Sequence, residues 1–113
     1  MLAHAIGRRN HVANGIVNAI VLPHTMKYNM PSTGPRQAVI LEGLGFTADA
    51  DAGEAVASFL AKLGAPTALR DIAVPEHELL DIADSAMLDW FITRTARSVP
   101  NSETLMEVLR AAW

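Results

Sequence analysis

The stretch "GIVNAIVLPHTMKYN", residues 15–29, decides the fold of this chain. Ile16, Ala19, Ile20 and Met26 recur at a spacing near 3.6, which predicts a helix with one apolar face. Pro23 lies inside it and has no N–H for the carbonyl of Ala19, so a kink is expected there. Asn29, Met30 and Pro31 are expected to end the helix, and "NMPSTGP", residues 29–35, reads as a turn-rich connector. Pro35 suits the first position of a second helix carrying "RQAVILEGLG", with Gly43 or Gly45 as its stop.

Downstream the pattern repeats. In "DADAGEAVASFLAKLG", Val56, Phe59, Leu60 and Leu63 fall at i, i+3, i+4 and i+7 and predict an apolar stripe. Asp49, Asp51 and Glu54 read as first-turn partners of that helix, and Gly64 as its C-terminal stop ahead of Pro66. "TALRDIAV" reads as a single turn and a link. Pro75 opens "PEHELLDIADSAMLDWFITR", where Leu79, Leu80, Ile82, Ala83, Ala86, Met87, Trp90 and Phe91 form a wide stripe. Asp81, Asp84 and Asp89 lie off that stripe as a solvated face. Arg94 and Arg97 would favour the negative end of this helix. Asn101 or Ser102 caps a last helix through Trp113, striped by Leu105, Val108, Leu109 and Ala112. No stretch alternates with a period of two. The expectation is one all-α domain over residues 1–113, a bundle of five or six helices.

The 113 residues are 50% hydrophobic, enough for one core, and 19% charged. A net charge of −3 gives no electrostatic case for nucleic acid. With no cysteine, disulfide and thiolate chemistry are excluded. No apolar run is long enough for a membrane span. Arg8-Arg9 before "VANGIVNAIVL" mimics a twin-arginine export signal, but Asn14, Asn18 and Pro23 interrupt the apolar region, and a cytoplasmic location is expected.

Histidines carry the chemical signal. His4, His11 and His24 have imidazole nitrogens that bind zinc, iron or copper. His4 and His11 share a face only if one helix runs unbroken between them, and Gly7 and Asn10 argue against that. Polar surface is the simpler reading of His4 and His11, and of His77. Gly43-Leu44-Gly45-Phe46 contains G-x-G without a third glycine or a preceding strand, so a helix stop accounts for it.

Residues 15–29 also resemble a segment of the iron-containing alcohol dehydrogenases, whose relatives include maleylacetate reductases and dehydroquinate-synthase-like enzymes. The matching pattern is G-V-x-N-A-I-x-L-P-H-x-M-x-x-N, met here by Gly15, Ile16, Asn18, Ala19, Ile20, Leu22, Pro23, His24, Met26 and Asn29. Residues 62–89 and the final "LRAAW" follow the same family order. The resemblance implies the later part of a helical C-terminal domain. The family's α/β nicotinamide-binding domain has no counterpart among these residues.

Several expectations follow from the resemblance. A complete family enzyme would use NAD(P) and a divalent iron or zinc, held by one aspartate and three histidines between two domains. His4 matches an active-site histidine near the metal that is often assigned to proton transfer. The position of one ligand histidine is Asn14, and an amide oxygen is a poor substitute for imidazole with these metals. The other ligands fall upstream of Met1, His11 is three residues out of register, and His24 reads as structural. Thr95-Ala96-Arg97 replaces the family's N-P-R. No catalytic metal site built from His4, His11 and Asn14 is expected, and no cofactor for the isolated chain, which would be inactive alone. The alternative is a non-catalytic helical module that self-associates or docks on a separate cofactor-binding domain. A homodimer is expected through apolar residues of the N-terminal segment, Ile6, Val12, Ile16 and Val17, with one side of the Trp90-Phe91 stripe.

Overall fold

The computed structural model describes residues 1–113 and contains five α-helices and no strand. They are α1 (Leu2–Asn10), α2 (Asn14–Gly43), α3 (Ala52–Lys62), α4 (Leu79–Met87) and α5 (Ser102–Ala112), with short 3₁₀ turns at Leu69–Ile72, Glu76–Glu78 and Trp90–Arg94. α2 packs on α1, α3 and α5, and α4 packs on α1 and α5. No helix is long and apolar enough to cross a membrane.

The main core gathers Leu2, Ala3 and Ile6 of α1, Val17, Ile20 and Val21 of α2, Leu79, Ile82, Ala83 and Ala86 of α4, and the inner face of α5. Leu69 and Val74 close it from the link before α4. A second, smaller cluster joins Met26 and Leu41 of α2 to Ala52 and Ala55 of α3. Trp113 fixes the chain end by donating its indole N–H to the Val74 carbonyl at 2.9 Å.

Four expectations need correction. First, α1 is a helix, and it runs through Gly7 to Asn10. Its capping residue, His11, adopts the left-handed conformation at φ 55°. Burial of Leu2, Ala3 and Ile6 outweighs the roughly 1 kcal/mol by which glycine disfavours a helix. Gly7 also has a packing reason, because a Cβ there would lie 2.6 Å from Asn14 Oδ1 and 2.9 Å from the Val12 carbonyl.

Second, α2 continues through Pro23, Pro31 and Pro35 instead of stopping at residue 30. The proposed connector is a bend within one helix. Gln37 donates to the Met26 carbonyl at 2.8 Å, although a straight helix would separate eleven residues by about 16 Å. The bend therefore folds one arm of α2 back toward the other. Side chains add bonds around the bend: Gln37 serves the Met26 carbonyl, and Thr33 donates its hydroxyl to the Asn29 carbonyl at 3.0 Å. Gln37 also donates to Thr33 Oγ1 at 2.9 Å, which makes this buried polar group part of a short chain of bonds.

Third, α3 turns its small residues inward. Ala52, Gly53 and Ala55 are buried, while Phe59 and Leu63 of the expected stripe are exposed. Close approach of α3 to α2 selects small side chains: a Cβ on Gly53 would sit 2.7 Å from the Pro23 carbonyl.

Fourth, α4 ends at Met87, and Trp90 and Phe91 are exposed on the following 3₁₀ turn rather than packed inward. Asp89 starts that turn by accepting from the Phe91 N–H at 2.8 Å, which offers the backbone an alternative to continuing the α-helix. Other punctuation falls as the residues predict. Asp51 caps α3, Asn101 caps α5, and Gly64 adopts φ +78° after α3.

Candidate functional site

α1 and α4 pack so that an open cleft of about 510 Å³ lies between them, lined by His4, Ala5, Arg8, Arg9, Ile82, Ser85, Leu88 and Asp89. His4 and Arg8 are one helical turn apart and therefore share a face. Both are exposed.

The two arginines differ in what they touch. Arg9 is bound across the helix pair, with Nε 3.0 Å from Glu78 Oε2 and Nη2 2.9 Å from Asp81 Oδ2. Asn10 donates to the same Glu78 oxygen at 3.2 Å. The Asn10 and Arg9 hydrogen bonds hold the Glu78 carboxyl below the usual carboxylate range. The Glu78 bond in turn raises the pKa of the Arg9 guanidinium. Arg8 has no hydrogen-bond or ion-pair partner and stands as an unneutralised cation at the mouth of the cleft. The Asp89 carboxylate is engaged by the Phe91 N–H and lies beyond ion-pair distance of Arg8.

Asn14 is the first residue of α2, and its side-chain oxygen rests against Gly7. His11 is exposed at the end of α1. His24 is half-buried on α2, facing the small gap beside Ala57, Leu60 and Pro66 of the α3 side. Burial, then the charge of Lys27, holds its pKa below the ordinary histidine value. His77 is exposed on the turn before α4. No group of three or more His, Asp or Glu side chains is placed to hold a metal ion. Of the donors singled out in the sequence, one exposed imidazole lines the cleft, Asn14 packs its amide on Gly7, and His11 lies outside the cleft lining.

The acidic residues do more than solvate a face. Asp81 pairs with Arg9, Asp84 accepts from the Ser102 hydroxyl at the start of α5, and Asp89 sets the turn after α4. Arg94 stacks on Trp90 at 3.8 Å, and Arg97 both covers the Tyr28 ring at 4.4 Å and donates to the Tyr28 carbonyl at 2.8 Å. Arg97 thus ties the loop before α5 to α2 instead of serving the end of α4. Residues 8 and 9 join the site only once α1 is seen as a helix; the i, i+4 relation of His4 to Arg8 was the available signal.

The family model described as "Fe-containing alcohol dehydrogenase family, C-terminal" matches residues 1–113. The chain belongs to the iron-containing alcohol dehydrogenase family. It is 30% identical over 120 residues to the lactaldehyde reductase of Escherichia coli strain K12, covering 99% of this chain and 31% of that enzyme. Maleylacetate reductase 1 of Cupriavidus pinatubonensis is 28% identical over 90 residues, covering 80% of this chain and 25% of the enzyme. A crystal structure of 1,3-propanediol oxidoreductase superposes with a TM-score of 0.90 at 26% identity, covering 99% of this chain and 31% of that one. The chain thus spans about a third of the length of the curated relatives it matches. Its all-helical fold is the one this part of a family member adopts.

Proposed function

We propose that these residues form the helical wall of an alcohol dehydrogenase-type active site, with His4 beside the reacting carbon. The overall reaction is reversible interconversion of an alcohol and its carbonyl form, with NAD(P) as hydride partner held by residues outside this chain's 113. His4 supports this reading most directly: it is the one imidazole in the cleft and it is exposed, and the sequence resemblance matches it to the family's active-site histidine. A neutral imidazole there accepts the hydroxyl proton of an alcohol as it is oxidised and returns it in the reverse direction. The 113 residues alone are expected to be silent, since the hydride partner would be held outside them.

Joining the nicotinamide-binding part of the E. coli lactaldehyde reductase ahead of Met1 tests the reading. The chimera should reduce lactaldehyde, His4→Asn should remove most of that rate, and the 113 residues alone should be silent with added Fe²⁺ or Zn²⁺. Turnover by the isolated chain, or a chimera indifferent to His4→Asn, overturns it.

Self-association is a second part of the proposal, with a surface narrower than the one expected, although Ile16 is exposed. Ile6 and Val17 are fully buried in the main core, so they offer nothing to a partner. Leu88, Trp90 and Phe91 are exposed together beside the cleft, with the two rings edge to face at 4.9 Å. We infer a homodimer through this patch, since covering clustered exposed apolar groups favours a two-fold contact. Sedimentation equilibrium should show a dimer that Trp90→Ser weakens, and a monomer at all concentrations rejects it.

A further inference from the structure

The cleft carries a charge that an alcohol group has no use for. Of its two guanidinium groups, Arg9 is neutralised by Glu78 and Asp81, whereas Arg8 has no partner. Arg8 projects from the same face of α1 as His4, one turn further on, with Cβ atoms about 5–6 Å apart. A planar guanidinium with a free fork of N–H donors matches a carboxylate in two-point geometry, and its charge is constant across the working pH range.

Resting on the proposed role of His4, we propose that Arg8 is a specificity-determining residue that binds the carboxylate of an acidic substrate whose reacting carbon lies beside His4. Because His4 and Arg8 are one turn apart on one face, the ligand is one small enough to reach both at once, of the oxo- or hydroxy-acid class. Ser85 on the facing wall supplies a hydroxyl to the polar middle of such a molecule. Ile82 and Leu88 line its apolar side. Asp89, the remaining charge of the cleft, repels a second carboxylate placed toward α4, so the anion is directed to the α1 side.

Binding to the 113-residue chain tests this without any turnover. The ¹⁵N-labelled protein is titrated with malonate, with inorganic phosphate, and with the uncharged 1,3-propanediol, and the Arg8 Nε–H and His4 ring resonances are followed. Malonate should shift both saturably, and 1,3-propanediol should not. Arg8→Gln should weaken malonate binding about ten-fold or more, the loss expected for a charge-assisted hydrogen-bonded pair. Arg8→Lys, which keeps the charge but not the fork, should retain part of it. Far-UV circular dichroism checks that each variant keeps the helical fold.

A response to phosphate but not malonate overturns the carboxylate assignment in favour of a phosphate group. Equal malonate shifts in wild type and Arg8→Gln, or no saturable shift, overturn the site. A chimera indifferent to His4→Asn that still binds malonate through Arg8 would discard the role of His4 and leave the anion site standing.

Discussion

Replacing Gly53 with alanine sets two opposing effects against each other at the crossing of α2 and α3. Alanine is favoured over glycine by up to about 1 kcal/mol in a helix interior, and by less at this second helical position. Against that, the new methyl would lie 2.7 Å from the Pro23 carbonyl, 2.9 Å from Lys27 Cγ and 3.2 Å from Asp51 Oδ1. Lys27 can swing aside at the cost of its 3.3 Å contact with Glu54. The Pro23 oxygen belongs to the α2 backbone and moves only if the two helices separate. Overpacking of this kind costs about 1–3 kcal/mol, so the net expectation is a loss of about 1–2 kcal/mol. Separating the helices also loosens the Met26, Leu41, Ala52 and Ala55 cluster. Gly15→Ala is the matched control, because nothing lies within 4 Å of its added Cβ, and it should be neutral or stabilise by up to about 1 kcal/mol. Urea unfolding followed at 222 nm measures both. A Gly53→Ala protein as stable as wild type would refute the reading of this contact as a close backbone approach.

Gln37→Leu removes the donor to the buried Met26 carbonyl and should cost about 1–3 kcal/mol in urea unfolding; an unchanged midpoint would mean that the bend does not depend on this bond. Asn101→Ala deprives the Thr104 N–H of its cap and should cost about 1 kcal/mol, read by thermal melting. His24 has a folded pKa below its ordinary value of 6.5, so the unfolded chain takes up a proton first as pH falls. Stability should therefore drop below pH 6.5 until the folded-state pKa is passed, and His24→Gln should flatten that part of the profile. Glu78 has a depressed pKa, so its contribution is present above the unfolded value of 4.5 and is lost as pH falls through the folded value. Glu78→Gln should accordingly destabilise at neutral pH and change little in strong acid, and equal losses at both would contradict the assignment.

Helix type and most helix ends were readable because they rest on local chemistry. Asp51, Asn101 and Gly64 act within a few residues of themselves, and each does what its residue type predicts. Most of the failures are tertiary; the early end of α4 is local, set by Asp89 accepting from the Phe91 N–H. Pro31 and Pro35 stop an isolated helix, but Gln37 binds the Met26 carbonyl across the bend, a contact that needs residues brought together by folding. Phe59 and Leu63 have the right spacing for a core, yet proximity to the Pro23 backbone gives the inward face of α3 to Ala52, Gly53 and Ala55. α1 was hidden because glycine and polar residues outnumber its three buried anchors. The site shared that fate: His4 was visible from the family pattern, whereas Arg8 gains meaning only from its place on α1.

Two separate apolar clusters, one of seventeen residues and one of four, imply that the molecule does not come apart all at once. Amides of α3 and the distal arm of α2 should exchange with solvent through partial openings that leave the larger cluster intact. Those of α5 and the first turns of α2 should exchange only when the entire chain unravels. A protease would accordingly make its first cut between Gly43 and Gly64 and release no part of the wall that carries His4.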